Sequence, residues 1–240
     1  MPHKTHTLVN TPTVNIRYLA DYMAASEQTK RTILRSCKYR PTARMIQHIE
    51  AKLAVTNYIK SGSSNPEELR DKAAQILNKL TVDEFEESTN LHNANYLKRF
   101  AEVSDLLNLP KAELSHAGKA VTIPVNGVNV RFDPALTATR TTRTNKLKCG
   151  ALMLRYQKAK PLPEATGRFQ SAGALGLLRL QHEGDSVEPD ATLCITVDGY
   201  TGEAHPAPTN SAYLFKEMQA ACASISERWQ AIPPPKGAIF

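Results

Sequence analysis

The stretch Lys119–Gln157, KAVTIPVNGVNVRFDPALTATRTTRTNKLKCGALMLRYQ, decides how the chain folds. Up to this point apolar residues recur every three or four positions, the spacing of one helix face. Here they alternate or run in short blocks rich in Val and Ile, the pattern of strands. VTIPV and VNVRF are separated by Asn126-Gly127 alone. A two-residue hairpin turn of type I′ needs positive φ at both central residues, which Asn and Gly tolerate best, so the pair predicts a tight β-hairpin. CGALMLRYQ, from Cys149, predicts a third strand after a polar loop rich in Thr and Arg.

Towards the N-terminus the reading is helical. Val14–Ala25 places Ile16, Leu19, Tyr22 and Met23 at helical spacing. Ser26 caps a second helix, Glu27–Cys37, which ends before Pro41 because a residue preceding proline is pushed out of the α region. A third helix is expected from Thr42 to Lys60. The fourth starts at Asn65-Pro66-Glu67-Glu68, with a capping side chain, a proline in the first turn and acids at the positive end of the dipole. It ends near Leu80, and a fifth spans Val82–Val103. Beyond the hairpin, Glu164–Gln181 predicts a helix whose small residues allow close packing, ATLCITV a fourth strand, and Asn210–Ala231 an amphipathic helix. The tail IPPPKGAIF reads as extended polyproline-like chain, tucked against the body or a partner. The expected fold is therefore α+β: a helical, basic region over 1–110, then a mixed-sheet core over 111–240 with a C-terminal helix and a Pro-rich tail.

The chain has 240 residues and a formal charge of +7, distributed in blocks. Residues 1–62 carry ten basic and three acidic residues, and residues 119–160 nine and one; both remaining segments are net acidic. Such segregation favours a one-sided field that a polyanion can use. No apolar run is long enough to span a membrane, and the first residues lack the apolar segment of a secretory signal. Cys37, Cys149, Cys194 and Cys222 lie far apart without a CxxC pair, the usage of a reduced, cytoplasmic protein. Phosphate-binding GxxxxGK[ST], GxGxxG, GxSxG and HExxH motifs are missing from the sequence.

Two groups of residues are candidates for chemistry. The first is cationic: Lys30, Arg31, Arg35, Lys38, Arg40 and Arg44 on and after the second helix, with Tyr39 among them, and Arg131, Arg140, Arg143, Lys146, Lys148, Arg155 and Lys160 in the strand region. Cations beside an aromatic suit phosphate contacts and a stacked base. The second is the one acid of the 119–160 block, Asp133. It is either turn chemistry, as Asp before Pro commonly is, or a metal ligand.

Reduced to elements, the region Val103–Val197 reads helix, strand, strand, strand, helix, strand, and in that order it resembles the restriction-endonuclease-like, or PD-(D/E)XK, superfamily. The resemblance implies a divalent-metal site with an acid on the second strand, then a Glu, Asp or Gln and a Lys two positions later on the third, often with a Glu from the preceding helix. Here Asp133 matches the metal-binding aspartate and Glu113 the helix glutamate, while Gln157 and Lys158 stand where the third-strand pair is expected with altered spacing. The resemblance implies a nucleic-acid-binding protein with a degenerate nuclease-like core, in a bacterial defence, phage or mobile-element setting and without a resident cofactor. An active Mg²⁺-dependent nuclease and a structural subunit of a larger assembly, contacting a protein partner through the tail, remain the alternatives.

Overall fold

The computed structural model describes residues 3–43, 45 and 48–240. Its main sheet has the order β4–β7–β8–β10–β11: Glu113–His116, Leu136–Thr141, Leu147–Arg155, Ile195–Asp198 and Ala204–Pro206. β7 is antiparallel to both neighbours, β8 and β10 run parallel, and β11 closes the edge antiparallel. The two-residue β9, Glu188–Pro189, adds to β8 at Lys148 and Cys149. A hairpin of β5 (Val121–Val125) and β6 (Val128–Phe132) forms a separate sheet with β2 (Thr13–Asn15), which pairs parallel to β6. β1 (His6–Leu8) pairs with β3 (Tyr39–Pro41).

The hairpin turns as expected, with φ of 42° at Asn126 and 80° at Gly127. It does not join the main sheet, however. The helix-strand-strand-strand-helix-strand order is carried instead by α5 (Glu84–Val103), β4, β7, β8, α6 (Glu164–Gln181) and β10. The region read as a polar loop is β7 and its turn into β8. Leu136 and Ala138 face inward while Thr137, Thr139 and Arg140 stay partly exposed. With polar residues on the outward positions, the strand had too few apolar residues to be visible as one.

β8 is buried on both faces, which explains its unbroken apolar run. Ala151 and Met153 join a cluster with α1 (Ile16–Met23), α2 (Glu27–Lys38), the hairpin, α6 and α7 (Ser211–Arg228). Leu152 and Leu154 join a second cluster with α3 (Ile49–Ser61), α4 (Glu67–Leu77) and α5. The molecule is thus a sheet between two helical layers. Residues 1–110 and 111–240 do not bury separate cores, because each cluster draws on both segments. In α6, Gly176 lies so close to the Phe215 ring of α7 that a Cβ could not be accommodated, the close packing expected of its small residues.

Several helix starts follow the capping rules, while α3, α6 and α7 begin without a side-chain cap. Asn15 Oδ1 accepts from Arg17 N, Ser26 Oγ from Thr29 N, and Asn65 Oδ1 from Glu67 N. The tail is fastened to the body. Ile232 O accepts from Tyr39 Oη and Lys38 Nζ, Ile239 O accepts from the Thr5 and His6 amides, and the Phe240 ring lies 5.4 Å from Tyr39. All four cysteines are free and buried. Among the described residues no helix is long and apolar enough to cross a membrane.

Candidate functional site

In open sheets with parallel strands, ligands collect at the carboxyl ends of those strands. The parallel pair β8–β10 ends at Arg155 and Asp198, which are register partners. There, a cleft of about 440 Å³ lies between α1, α2 and the loop 156–163. Arg155 forms its floor. The guanidinium donates to Asp21 Oδ1 at 2.6 Å, to Gln170 Oε1 at 2.9 Å and to the Arg17 carbonyl at 3.3 Å. A charge so deeply placed needs these acceptors to offset its desolvation. Burial draws its pKa below the usual arginine range and the Asp21 carboxylate opposes the shift. Asp198 is equally engaged. Its carboxylate accepts from Leu162 N, Tyr200 N and Thr201 Oγ1, so it serves as loop chemistry.

Beside the cleft lies Asp133, in the link between β6 and β7. Asn15 Nδ2 donates to Asp133 Oδ1 at 2.8 Å while its own oxygen caps α1, so one side chain ties the link to the helix start. Arg131 Nε is 3.9 Å from Asp133 Oδ2. Lys52 of α3 faces the same place. Its side chain reaches solvent, yet surrounding protein draws its ammonium below the usual lysine range, Arg17 and Arg155 adding to the effect and Asp133 opposing it. His48 is held below its usual value by burial, then by His92, Lys52 and Arg17. Its ring stands edge-on to Tyr96 and Tyr156, which stack on each other at 3.7 Å.

A row of cations therefore runs from Arg131 past Lys52, Arg17 and Arg155 to Lys160 at the cleft, interrupted by Asp133 and Asp21. Both basic segments of the sequence contribute to it. Arg17 and Lys52 escaped the sequence reading because Arg17 is the one cation of α1 and Lys52 stands eight positions from Lys60, the other cation of α3; only their meeting with the strand region reveals them.

The chain matches no known protein family and no curated protein.

The remaining sequence candidates are dispersed. Glu113 lies on β4 rather than a helix and pairs with Thr139, whereas Asp133 precedes Leu136, so the two stand towards opposite ends of β7. Gln157 lines the cleft, and Lys158 is exposed in the turn after β8. The β7–β8 pairing stops at Leu136 and Leu152, so Asp133 lies before the paired strand, and β8 offers it no acid, only Arg155 at its end. The neighbours of Asp133 do not fit Mg²⁺, and among the described residues no three His, Cys, Asp or Glu gather closely enough to hold a metal ion.

Several candidate cations serve the fold. Lys38 is buried and donates to the carbonyls of Trp229, Gln230 and Ile232 at 2.7, 3.0 and 3.3 Å. Tyr39 is buried against the tail and offers no face for a base. Lys30 pairs with Glu27 at 2.8 Å, Arg140 with Asp190 at 2.9 Å, and Lys146 and Lys148 share Glu188. Arg31, Arg40 and Arg143 are exposed, Arg35 is half-buried, and Arg44 lies outside the described residues.

Proposed function

We propose that this protein binds nucleic acid through the cationic row at the ends of β8 and β10, on a nuclease-like core whose metal site is degenerate. The observation that supports the reading is the convergence of cations from two distant segments, Arg17 and Lys52 with Arg131, Arg155 and Lys160, at one cleft. Cations gathered in this way act on a polyanion together, each neutralised phosphate releasing counterions. The order of α5, β4, β7, β8, α6 and β10 supports the nuclease-like part of the reading. Against cleavage stands β8, which carries Arg155 at its end and no acid to serve as a second metal ligand.

Fluorescence anisotropy across a sodium chloride series tests the proposal. Affinity falls steeply with salt, and combining Lys52→Glu with Lys160→Glu, both exposed residues, weakens binding to every sequence and lowers the salt slope by roughly one for each phosphate no longer neutralised. Asp133→Asn preserves the acceptor for Asn15 and removes a negative charge, so binding persists or tightens. Absence of binding at low salt overturns the proposal. Mg²⁺-dependent cleavage that disappears in Asp133→Asn overturns its degenerate-site part.

A further inference from the structure

We infer that the cleft seats one nucleotide of an unpaired strand, its phosphate between Arg17 and Lys160 and its base on the Tyr18 ring. This rests on the nucleic-acid reading above and narrows it from any polyanion to single-stranded nucleic acid.

The size of the cleft is the first argument. About 440 Å³ is the volume of a small-molecule site, and a base within a duplex reaches such a site only by leaving its partner. The second is the donor inventory. Arg17 Nε is buried and has no hydrogen-bond partner among the described residues. Nε itself is closed to solvent, so a phosphate would meet the terminal nitrogens of this guanidinium, which make no hydrogen bond among the described residues. Lys160 lines the same cleft and is exposed. Arg155 plays a different part: Asp21, Gln170 and the Arg17 carbonyl occupy its terminal nitrogens, so it fixes the floor and contributes field. Facing the cleft, Arg17, Arg155 and Lys160 exceed Asp21 and Asp198 by one charge, and the Asp198 carboxylate is already spent on the loop.

The third argument is the rim. Tyr18 is 45% exposed and lines the cleft beside these cations. An accessible aromatic next to phosphate-binding cations is how strands are held without sequence readout, because every base has a face to stack. Opposite, Thr29, Thr32 and Ser36 line the α2 wall. The Thr32 and Ser36 hydroxyls donate to carbonyls of their own helix, at Gln28 O and Ile33 O, so towards the cleft they present acceptor oxygens. Acceptors suit the amino groups of bases and the hydroxyls of a sugar. Lys52 and Arg131 then lie along the path of the neighbouring phosphates.

The test uses the full chain, a fluorescein-labelled oligothymidylate and the corresponding blunt dT·dA duplex at low salt. The single strand binds about tenfold more tightly. Tyr18→Ala narrows that preference by about tenfold, the size of one base–aromatic stack, and Tyr18→Phe restores it. Each variant is accepted only with an unchanged melting temperature; Lys160→Gln, on an exposed side chain, is the second probe and weakens the single strand alike. Thymidine 5′-monophosphate in large excess leaves the complex intact, because the neighbouring phosphates hold the strand elsewhere. Equal affinity for strand and duplex, a Tyr18→Ala variant with undiminished preference, or displacement by the mononucleotide overturns the inference. Duplex binding alone overturns it while leaving the proposed function standing; no binding to either overturns both.

Discussion

Lys38 shows how far a residue's role depends on contacts its local sequence does not announce. In EQTKRTILRSCK it resembles its neighbours Lys30, Arg31 and Arg35, a cation on an exposed face. In the fold its ammonium sits against three carbonyls at the end of α7, some 190 positions away. Trp229 O also accepts from the Ile232 amide and Ile232 O from Tyr39 Oη, so Lys38 completes a partly satisfied helix end, where cations also favour the negative end of the dipole. Lys38→Met keeps the bulk of the side chain and removes three charge-assisted hydrogen bonds, so it costs about 2–4 kcal/mol. Thermal denaturation reads this as a melting temperature lowered by roughly 5–12 °C. Affinity for nucleic acid, measured where the variant is folded, stays as in the wild type. A phosphate-binding lysine would give the reverse: weaker binding with unchanged melting.

At the scale of elements, the tail lies against the body, one of the two places its sequence allowed. Extended and Pro-rich, it promised little to the fold, yet its last residues cover the short β1–β3 pair. Three-residue strands are marginal without such cover. Deleting residues 233–240 removes the Ile239 contacts to Thr5 and His6 and the Phe240 ring from Tyr39. A loss of about 1–2 kcal/mol follows, and a melting temperature lower by roughly 2–8 °C, while far-ultraviolet dichroism retains its helical signal. Unchanged melting would mean that the tail only rests on the surface. Helices, hairpin turn and the buried strand β8 were legible because each is written locally, in caps, in Asn-Gly and in an apolar run. β7 was not, since four of its six residues are Thr or Arg, and neither was the hairpin's departure to pair with β2, a partner over a hundred residues away. The candidate site was legible only in part for the same reason. Asp133, Arg131, Arg155 and Lys160 were visible as residues, but Asn15, Arg17, Asp21 and Lys52 join them only through tertiary structure. Glu188 and Asp190, which neutralise the β7–β8 turn, likewise come from some 40 to 50 positions downstream.

For the molecule as a whole, the shared strand β8 couples the two apolar clusters, so loss of one exposes the other and a single unfolding transition is expected. Thiols report on it. Burial pushes Cys37, Cys194 and Cys222 up to about 12, and raises Cys149 as well. An unfolded thiol ionises near 8.5. Below that value both states hold the proton and stability is unaffected by pH. Above it the unfolded chain releases protons that the folded chain keeps, and stability falls by about 1.4 kcal/mol per pH unit for each thiol until the folded values are reached. The native protein at pH 8 therefore leaves a thiol-reactive chromophore nearly unconsumed, and denaturant releases all four equivalents together. Rapid reaction of one cysteine in native protein would show that its part of the core opens alone.

The pairing of β2 with β6, and of Ile239 with Thr5, also sets an order of assembly. A chain leaving the ribosome presents residues 13–15 long before residues 129–131 exist to receive them, and residues 5–6 wait for Ile239. The helices α3–α5 have local partners and can associate early, whereas residues 13–15 stay unpaired until residues 129–131 have been made. Chaperones, modifying enzymes and proteases thus meet residues 13–15 without their strand partner for as long as the intervening residues take to be made.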